Sequence, residues 1–218
     1  LSYDPAADIA PLSLVVTMPM LLSVRKTLPV NSVAELVAYA RASPGKIFYG
    51  SAGIGNGQHL AGVLFSQKAG VEMLHVPYKG GGPVLTAVLG GEVHINFPGA
   101  SVAVPHIKSG KLRGIGFTGD KRISSLPDLP TIAESGLPGF NFDTGWHAMF
   151  GLPKLPAALV NQFQAAVRKA FDNAQLRETF TSTGYDPAGA PPAEFDKLFR
   201  ADLKRFAEIV RAAKIELQ

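Results

Sequence analysis

Two glycine-rich stretches hold the residues most capable of chemistry: Gly50-Ser51-Ala52-Gly53-Ile54-Gly55-Asn56-Gly57 and Lys79-Gly80-Gly81-Gly82. Each follows a short apolar run (46–49, then 73–76) and leads into a helical pattern (58–68, then 83–89). A helix start leaves backbone N–H groups without intrahelical partners and carries a partial positive charge. A strand, a glycine loop and a helix N-terminus together therefore make an anion site. Glycine lets that backbone approach a ligand closely and adopt positive φ. Ser51, Asn56 and His59 add hydroxyl, amide and imidazole donors where a carboxylate could accept from them. Ordinary βα turns would carry similar glycines, so the loops alone leave both readings open.

The spacing excludes nucleotide fingerprints. A dinucleotide loop needs G-x-G-x-x-G, but the third residue after Gly55 is Gln58. A P-loop needs Lys-Ser or Lys-Thr after its last glycine, and neither stretch has it. Ser51 and His59 could be drawn as nucleophile and base. Yet Tyr49-Gly50-Ser51-Ala52-Gly53 lacks the spacer residue of a G-x-S-x-G elbow, and no carboxylate pair lies in the loops for acid–base work. Loops rich in Gly, Ser and Asn but poor in Asp and Glu suit holding an anion without reacting with it. The chain reads as a binder rather than an enzyme, with no catalytic residue. His75, His94 and His106, spaced 19 and 12 apart, read as structural and do not form a metal-ligand set, so no metal and no cofactor is expected.

The elements that must position these loops alternate regularly. Residues 14–24 are apolar on both faces, like a buried strand interrupted at Pro19. Asn31-Ser32 caps a helix through Ala42 that Pro44-Gly45 ends. Then follow strand 46–50, helix 57–68, strand 72–76, helix 83–89, strand 92–97, helix 101–109 and strand 112–117. That order predicts an α/β unit with a mostly parallel sheet. Residues 119–141 are turn-rich, an extended stretch 142–152 holds the single tryptophan, and helices are predicted over 156–172, 175–183 and 193–213. The expected organisation is one complete α/β domain, 18–141, and a partial one made of 1–17 with 142–218. Two extended segments cross between them. On the second unit Val160, Phe163, Val167 and Phe171 sit at helical spacing and need an apolar partner.

Composition narrows the classes. The chain has 218 residues, 46% of them hydrophobic, enough for a packed core. No apolar run approaches the length of a membrane span, and Leu1 opens no signal-peptide pattern. The absence of cysteine excludes disulfides, thiolate catalysis and cysteine–zinc sites, and is compatible with an oxidising compartment. The net charge of +4 is modest, and the C-terminal Lys and Arg alternate with Asp196, Asp202 and Glu208 as on a solvated helix face. No basic patch with interleaved aromatics points to nucleic acid.

Several segments, in this order, resemble the solute-binding proteins of tripartite tricarboxylate transporters, the TctC or Bug family. They are 3–11 (Tyr-Asp-Pro-Ala-Ala-Asp-Ile-Ala-Pro), 28–36 (Leu-Pro-Val-Asn-Ser-Val-Ala-Glu-Leu), 44–46, 57–62 (Gly-Gln-His-Leu-Ala-Gly), 75–80 (His-Val-Pro-Tyr-Lys-Gly), 105–113 and 126–134. The resemblance implies a type II periplasmic binding protein-like fold, here one complete α/β lobe plus part of a second, with the ligand between lobes. It implies a periplasmic protein that binds a small carboxylate, such as a di- or tricarboxylate, and delivers it to the membrane permease subunits of such a transporter. Sensing for a signalling partner is the alternative role. It places ligand contacts at Ser51, Ala52, Gly53, Gly55, Asn56, Gly57 and His59, at Tyr78, Gly80 and Gly81, at Pro98 and Gly99, and at Trp146 in the second crossing segment. Relatives often carry Asp where Pro98 stands, so a plain carboxylate is favoured over an amino acid. The resemblance also implies an opening stretch, one wall of the pocket, upstream of where this chain starts. With it absent, the chain is expected to bind carboxylate weakly and to expose apolar surface or self-associate.

Overall fold

The computed structural model describes residues 3–142 and 145–212. Two sheets, built from different stretches of chain, organise it. The larger has five strands, β2 (Leu21–Arg25), β3 (Ile47–Ser51), β4 (Met73–Pro77), β5 (Ile95–Asn96) and β6 (Leu112–Phe117), in the order β4-β3-β5-β2-β6. β3 is parallel to β4 and β5, whereas β2 is antiparallel to β5 and β6. Four strands thus share a direction but half the pairings are antiparallel, so the sheet is mixed rather than mostly parallel. The cause lies at Met18–Met20. There the chain passes straight from β1 (Ala10–Thr17) into β2 without a covering helix, so β2 starts at the rim where β3, β5 and β6 end.

The double-sided apolar character of β2 has a direct counterpart. Leu22 and Val24 face one core and Leu21 the other, all essentially unexposed. On the first side lie α1 (Val33–Ala42) and α2 (Gly57–Ala69), contributing Val33, Leu36, Leu60 and Phe65. On the other lie α3 (Gly81–Gly90) and α4 (Ala100–Lys108), through Val84, Val88, Ala103 and Val104. Ser32 caps α1 by accepting from the Glu35 N–H at 3.1 Å. Phe65 anchors α2: it is fully buried, with its ring centroid 6.0 Å from Phe97 and 6.1 Å from Phe140. Burying a ring of that size stabilises by roughly 1.5–3 kcal/mol, which holds the helix against the core. The expected 92–97 strand is short because Gly91 turns left-handed at φ 84° and Pro98 has no N–H to extend the pairing.

The smaller sheet is antiparallel, β7 (Trp146–Gly151), β1 and β8 (Asp186–Ala190), with β1 central. β8 was not foreseen, because Pro187 and Gly189 read as loop; a proline is tolerated there since β8 is an edge strand. α5 (Ala157–Ala170), α6 (Ala174–Ser182) and α7 (Pro192–Ala212) complete this half. α7 packs Phe195 and Phe199 against Leu14, Trp146 and Phe150. Its far end does something else: Phe206, Ile209 and Val210 pack against the core of the larger sheet, and the helix touches α2. On α5, Phe163 is 42% exposed and Val160 and Val167 remain partly exposed, as expected of an uncovered stripe. Phe171 departs from that expectation. It is 6% exposed, just past the helix, with Phe180 packed edge-on against it at 5.6 Å.

Candidate functional site

The parallel strands β3, β4 and β5 end on one rim, and each hands the chain to a helix whose N-terminus faces that rim. The carboxyl ends of such strands are where ligands of open α/β sheets bind. α2 begins at Asn56, whose side chain accepts from the Gln58 N–H at 2.8 Å. α4 begins at Gly99 and α3 at Gly80, neither with a side-chain cap. The two crossing segments meet beside this rim: the Met18 N–H donates to the Gly145 carbonyl at 2.6 Å. The approach is so close that a Cβ on Gly145 would fall on the carbonyl oxygen of Met18, which is why glycine is required there.

Between the rim and the crossing segments lies a cavity of about 310 Å³, lined by Met18, Met20, Asn56, Gly57, Gln58, Gly99, Gly145, Trp146 and Phe206. It brings together four of the residues singled out from sequence: Asn56, Gly57, Gly99 and Trp146. Trp146 is held in place rather than loosely presented. Its Nε1–H donates to Asp202 Oδ2 at 2.8 Å, and its rings lie 5.2 Å from Phe195 and 6.0 Å from Phe150. Asp202, 3% exposed, also pairs with Arg205 at 2.7 Å. Sequence reasoning missed Met18, Met20 and Phe206, whereas Gln58 falls within the Ser51–His59 loop and Gly145 precedes Trp146 in the second crossing segment, both expected near the cleft. Met18 and Met20 follow from the crossing at Pro19, but Phe206 enters from a helix nearly two hundred residues along the chain, and nothing local announces it.

The other predicted residues divide. Ser51 is fully buried, and its hydroxyl is engaged inside the loop, donating to Gly53 O at 3.0 Å and accepting from Gly53 N–H at 3.2 Å. It also meets His75 Nε2 at 2.5 Å. Gly53 and Gly55 take φ of 136° and 76°, a conformation that side chains resist, and Ala52 lies between them and Ser51, half-buried. The Gly55 N–H donates to His59 Nδ1 at 3.1 Å. His59 is 7% exposed and stacks on His75 at 3.9 Å, and His75 in turn stacks on Tyr49 at 4.9 Å. Ser51 and His59 thus face inward, bracing the loop from behind. His75, read from sequence as purely structural, belongs to that brace. Burial, with His59 alongside, lowers the His75 pKa to about 4, and burial lowers that of His59 as well.

The second glycine loop does not share the cavity. Tyr78 turns its ring over Gly50 and donates its hydroxyl to Glu92 Oε2 at 3.2 Å, away from the cleft. Gly80 and Gly81 stand at the open start of α3, one residue pair earlier than the helix was expected. Pro98 is buried, its carbonyl accepting from Leu21 N–H at 3.0 Å, and only its neighbour Gly99 reaches the cavity. A larger cavity of about 800 Å³ lies beside β8, between Leu14, Arg168, Phe171 and Arg177, and holds none of the predicted residues. The hydrolase drawing also fails on geometry: Ser51 is paired with His75, not His59, and its hydroxyl is sealed from solvent. Among the described residues no carboxylate hydrogen-bonds either imidazole. No helix among them is long and apolar enough to cross a membrane.

The sequence model of the tripartite tricarboxylate transporter family receptor, TctC, matches residues 1–215. The chain belongs to that family. TctC is a family of receptors, not of enzymes. Among curated relatives, a protein of Pseudomonas sp. strain P51, named for the tcbD-tcbE intergenic region, is 32% identical over 95% of this chain and 62% of its own length. The first curated relatives are spanned to 62–66% of their length. Among solved structures, Rpa4515 of R. palustris with adipate is 34% identical, with a TM-score of 0.89 over 98% of this chain and 71% of that one. MatC of Rhodopseudomonas palustris with bound malate is 29% identical, with a TM-score of 0.85 over 96% and 72%. These likenesses establish the partial type II periplasmic binding fold.

Proposed function

We propose that this TctC-family chain is part of a periplasmic solute-binding protein that captures a small dicarboxylate or related organic acid and delivers it to the permease subunits of a tripartite transporter. One observation carries the reading: the N-terminus of α2, at Asn56, Gly57 and Gln58, opens into a cavity closed on its other side by Gly145, Trp146 and Phe206. An anion there meets first-turn amides and the positive end of the helix. Trp146 and the two methionines supply the apolar wall that an alkyl dicarboxylate needs. In this reading residues 18–141 form one moving unit, 1–17 with 142–218 form the other, and closure grips the ligand from both. The adipate and malate bound to two family structures support the substrate class. The Gly53 and Gly55 N–H groups turn inward to Ser51 and His59 and so hold the loop beside Asn56 in shape, and the Tyr78–Gly81 loop lies at the outer edge of the same rim.

A thermal-shift screen of mono-, di- and tricarboxylates, with adipate and malate as first probes, tests the proposal. A ligand at about one hundred times its Kd stabilises by roughly 2.7 kcal/mol. For a chain of this size that is about 5–11 °C in Tm. If, in the full-length protein with both walls of the cleft, no carboxylate at millimolar concentration raises the Tm, or if the shift survives Gly57→Pro, the α2 anion site is wrong.

A further inference from the structure

Behind the anion loop lies a cluster that ligand binding as proposed does not use: Tyr49 on β3, His75 on β4 and His59 on α2, with Ser51 at its end. We infer that His59 and His75 are positioning residues that hold the 51–56 loop in its ligand-ready shape only while both imidazoles are neutral. The inference rests on the ligand site proposed above and adds a pH-dependent control to it.

The geometry supplies the reasons. The left-handed glycines at 53 and 55 give the loop many alternative conformations, so something outside it must select one. Two contacts do so. Ser51, tied to both the N–H and the carbonyl of Gly53, is fixed from outside by His75 Nε2 at 2.5 Å. The Gly55 N–H is fixed by His59 Nδ1 at 3.1 Å. For the second contact Nδ1 must carry a lone pair. A proton there would set two donors against each other and release Gly55, the residue that delivers the chain into Asn56 and Gly57. The ring stack couples the two contacts. With centroids 3.9 Å apart, a charge on His75 sits against His59 with no counter-ion between them. Among the described residues the titratable groups facing the pair are each other and Tyr49, and Tyr49 remains a neutral phenol because burial raises its pKa. Burial keeps both histidines neutral at pH 7, and His75 resists protonation to about pH 4. The brace is therefore complete at neutral pH and fails on acidification.

The substitution that separates bracing from packing is His59→Asn. Its side-chain oxygen lies where Nδ1 lies and accepts the same hydrogen bond, but it does not titrate. His59→Leu fills the space without an acceptor. Amide hydrogen exchange at Gly53 and Gly55, corrected for intrinsic rates, reads the loop directly, with far-UV circular dichroism to show that the fold persists. Protection of Gly55 in the wild type should fall roughly tenfold or more between about pH 7 and pH 4.5. In His59→Asn, where of the pair only His75 still titrates, it should fall distinctly less across that range, and in His59→Leu it should be lost throughout. Calorimetry with adipate adds the functional readout. Adipate's own protonation is common to all variants, so the difference between wild type and His59→Asn is the measure, and only the wild type should show the steeper loss of affinity on acidification. Level protection of Gly55 in the wild type, full protection in His59→Leu, or identical adipate pH profiles in wild type and His59→Asn would each overturn the inference. If protection follows the stated pattern but neither adipate nor malate binds at any pH, the brace stands and the proposed ligand class fails.

Discussion

Replacing Asp202 tests whether Trp146 on β7 is held in place by α7. Asp202 is 3% exposed and accepts from the Trp146 indole at 2.8 Å and from Arg205 at 2.7 Å. A hydrogen bond to a buried carboxylate contributes about 1.5–3 kcal/mol. The Arg205 side chain is one-third exposed, and solvent screens that pair to about 0.5–1 kcal/mol. Asp202→Leu, similar in volume, should therefore cost about 3 kcal/mol. Asp202→Asn keeps an acceptor for the indole and should cost about 1–1.5 kcal/mol. Urea unfolding followed by tryptophan fluorescence suits the question, because Trp146 is the only tryptophan in the sequence. With a urea slope of about 2.5 kcal/mol/M, the midpoint should fall by roughly 1.2 M for Asp202→Leu and by about half that or less for Asp202→Asn. The folded emission of Asp202→Leu should also shift, because the indole loses its anionic partner. A Leu variant within about 0.5 kcal/mol of wild type would refute the tie. An Asn variant as damaged as the Leu variant would show that charge, not the hydrogen bond, matters.

Three further outcomes follow from other parts of the molecule. Gly145→Ala places a Cβ on the Met18 carbonyl and should cost about 3 kcal/mol or more, seen as a Tm lower by at least about 6 °C; an unchanged melt would show that the crossing segments can part freely. Asn56→Ala removes the α2 cap and should cost about 1 kcal/mol in a thermal melt, with Asn56→Ser restoring most of it. Stability should depend on pH through His75: its folded pKa of about 4 lies below the ordinary 6.5, so the native state binds fewer protons than the unfolded one. That group's contribution is complete above about pH 6.5 and is lost as pH falls toward 4, and a scan of Tm against pH should show this slope in wild type and lose it in His75→Gln.

The regular helices were legible because their signals are local: Ser32 before Val33, Asn56 before Gly57, and Val33, Leu36, Val37 and Ala40 on one face of α1. Strand direction was not, since it depends on where β2 enters the sheet, and that is set by the crossing at Met18–Met20 rather than by any residue in β2. The candidate site was legible in its backbone part, the start of α2 and Gly99, because helix termini and glycines carry their geometry with them. The inward turn of Ser51 and His59 was hidden. A histidine two residues before the end of β4 reads the same whether it faces solvent or the back of a loop, and only the pairing of Tyr49 with His75 across β3 and β4 puts the rings in line. Tyr78 was misplaced for a related reason: its partner, Glu92, lies beyond a whole helix.

The wide separation in sequence between β1 and its partners β7, β8 and α7 has a consequence for how this part of the molecule is made. Everything needed for the five-stranded sheet and its aromatic core lies between residues 20 and 142, and emerges from a ribosome as one uninterrupted block. β1 is made before that block, but the strands that pair with it here, β7 and β8, come after it, and β8's register joins Leu14 to Ala190. Contacts at such sequence separation form late. The larger sheet can thus be complete before β7 and β8 reach β1. α7 then closes Phe195 and Phe199 over the small sheet and lays Phe206 and Ile209 on the larger sheet's core. Replacing Phe195 and Phe199 by alanine should therefore leave the larger sheet folded while exposing β1, a lesion that would show as aggregation rather than as global unfolding.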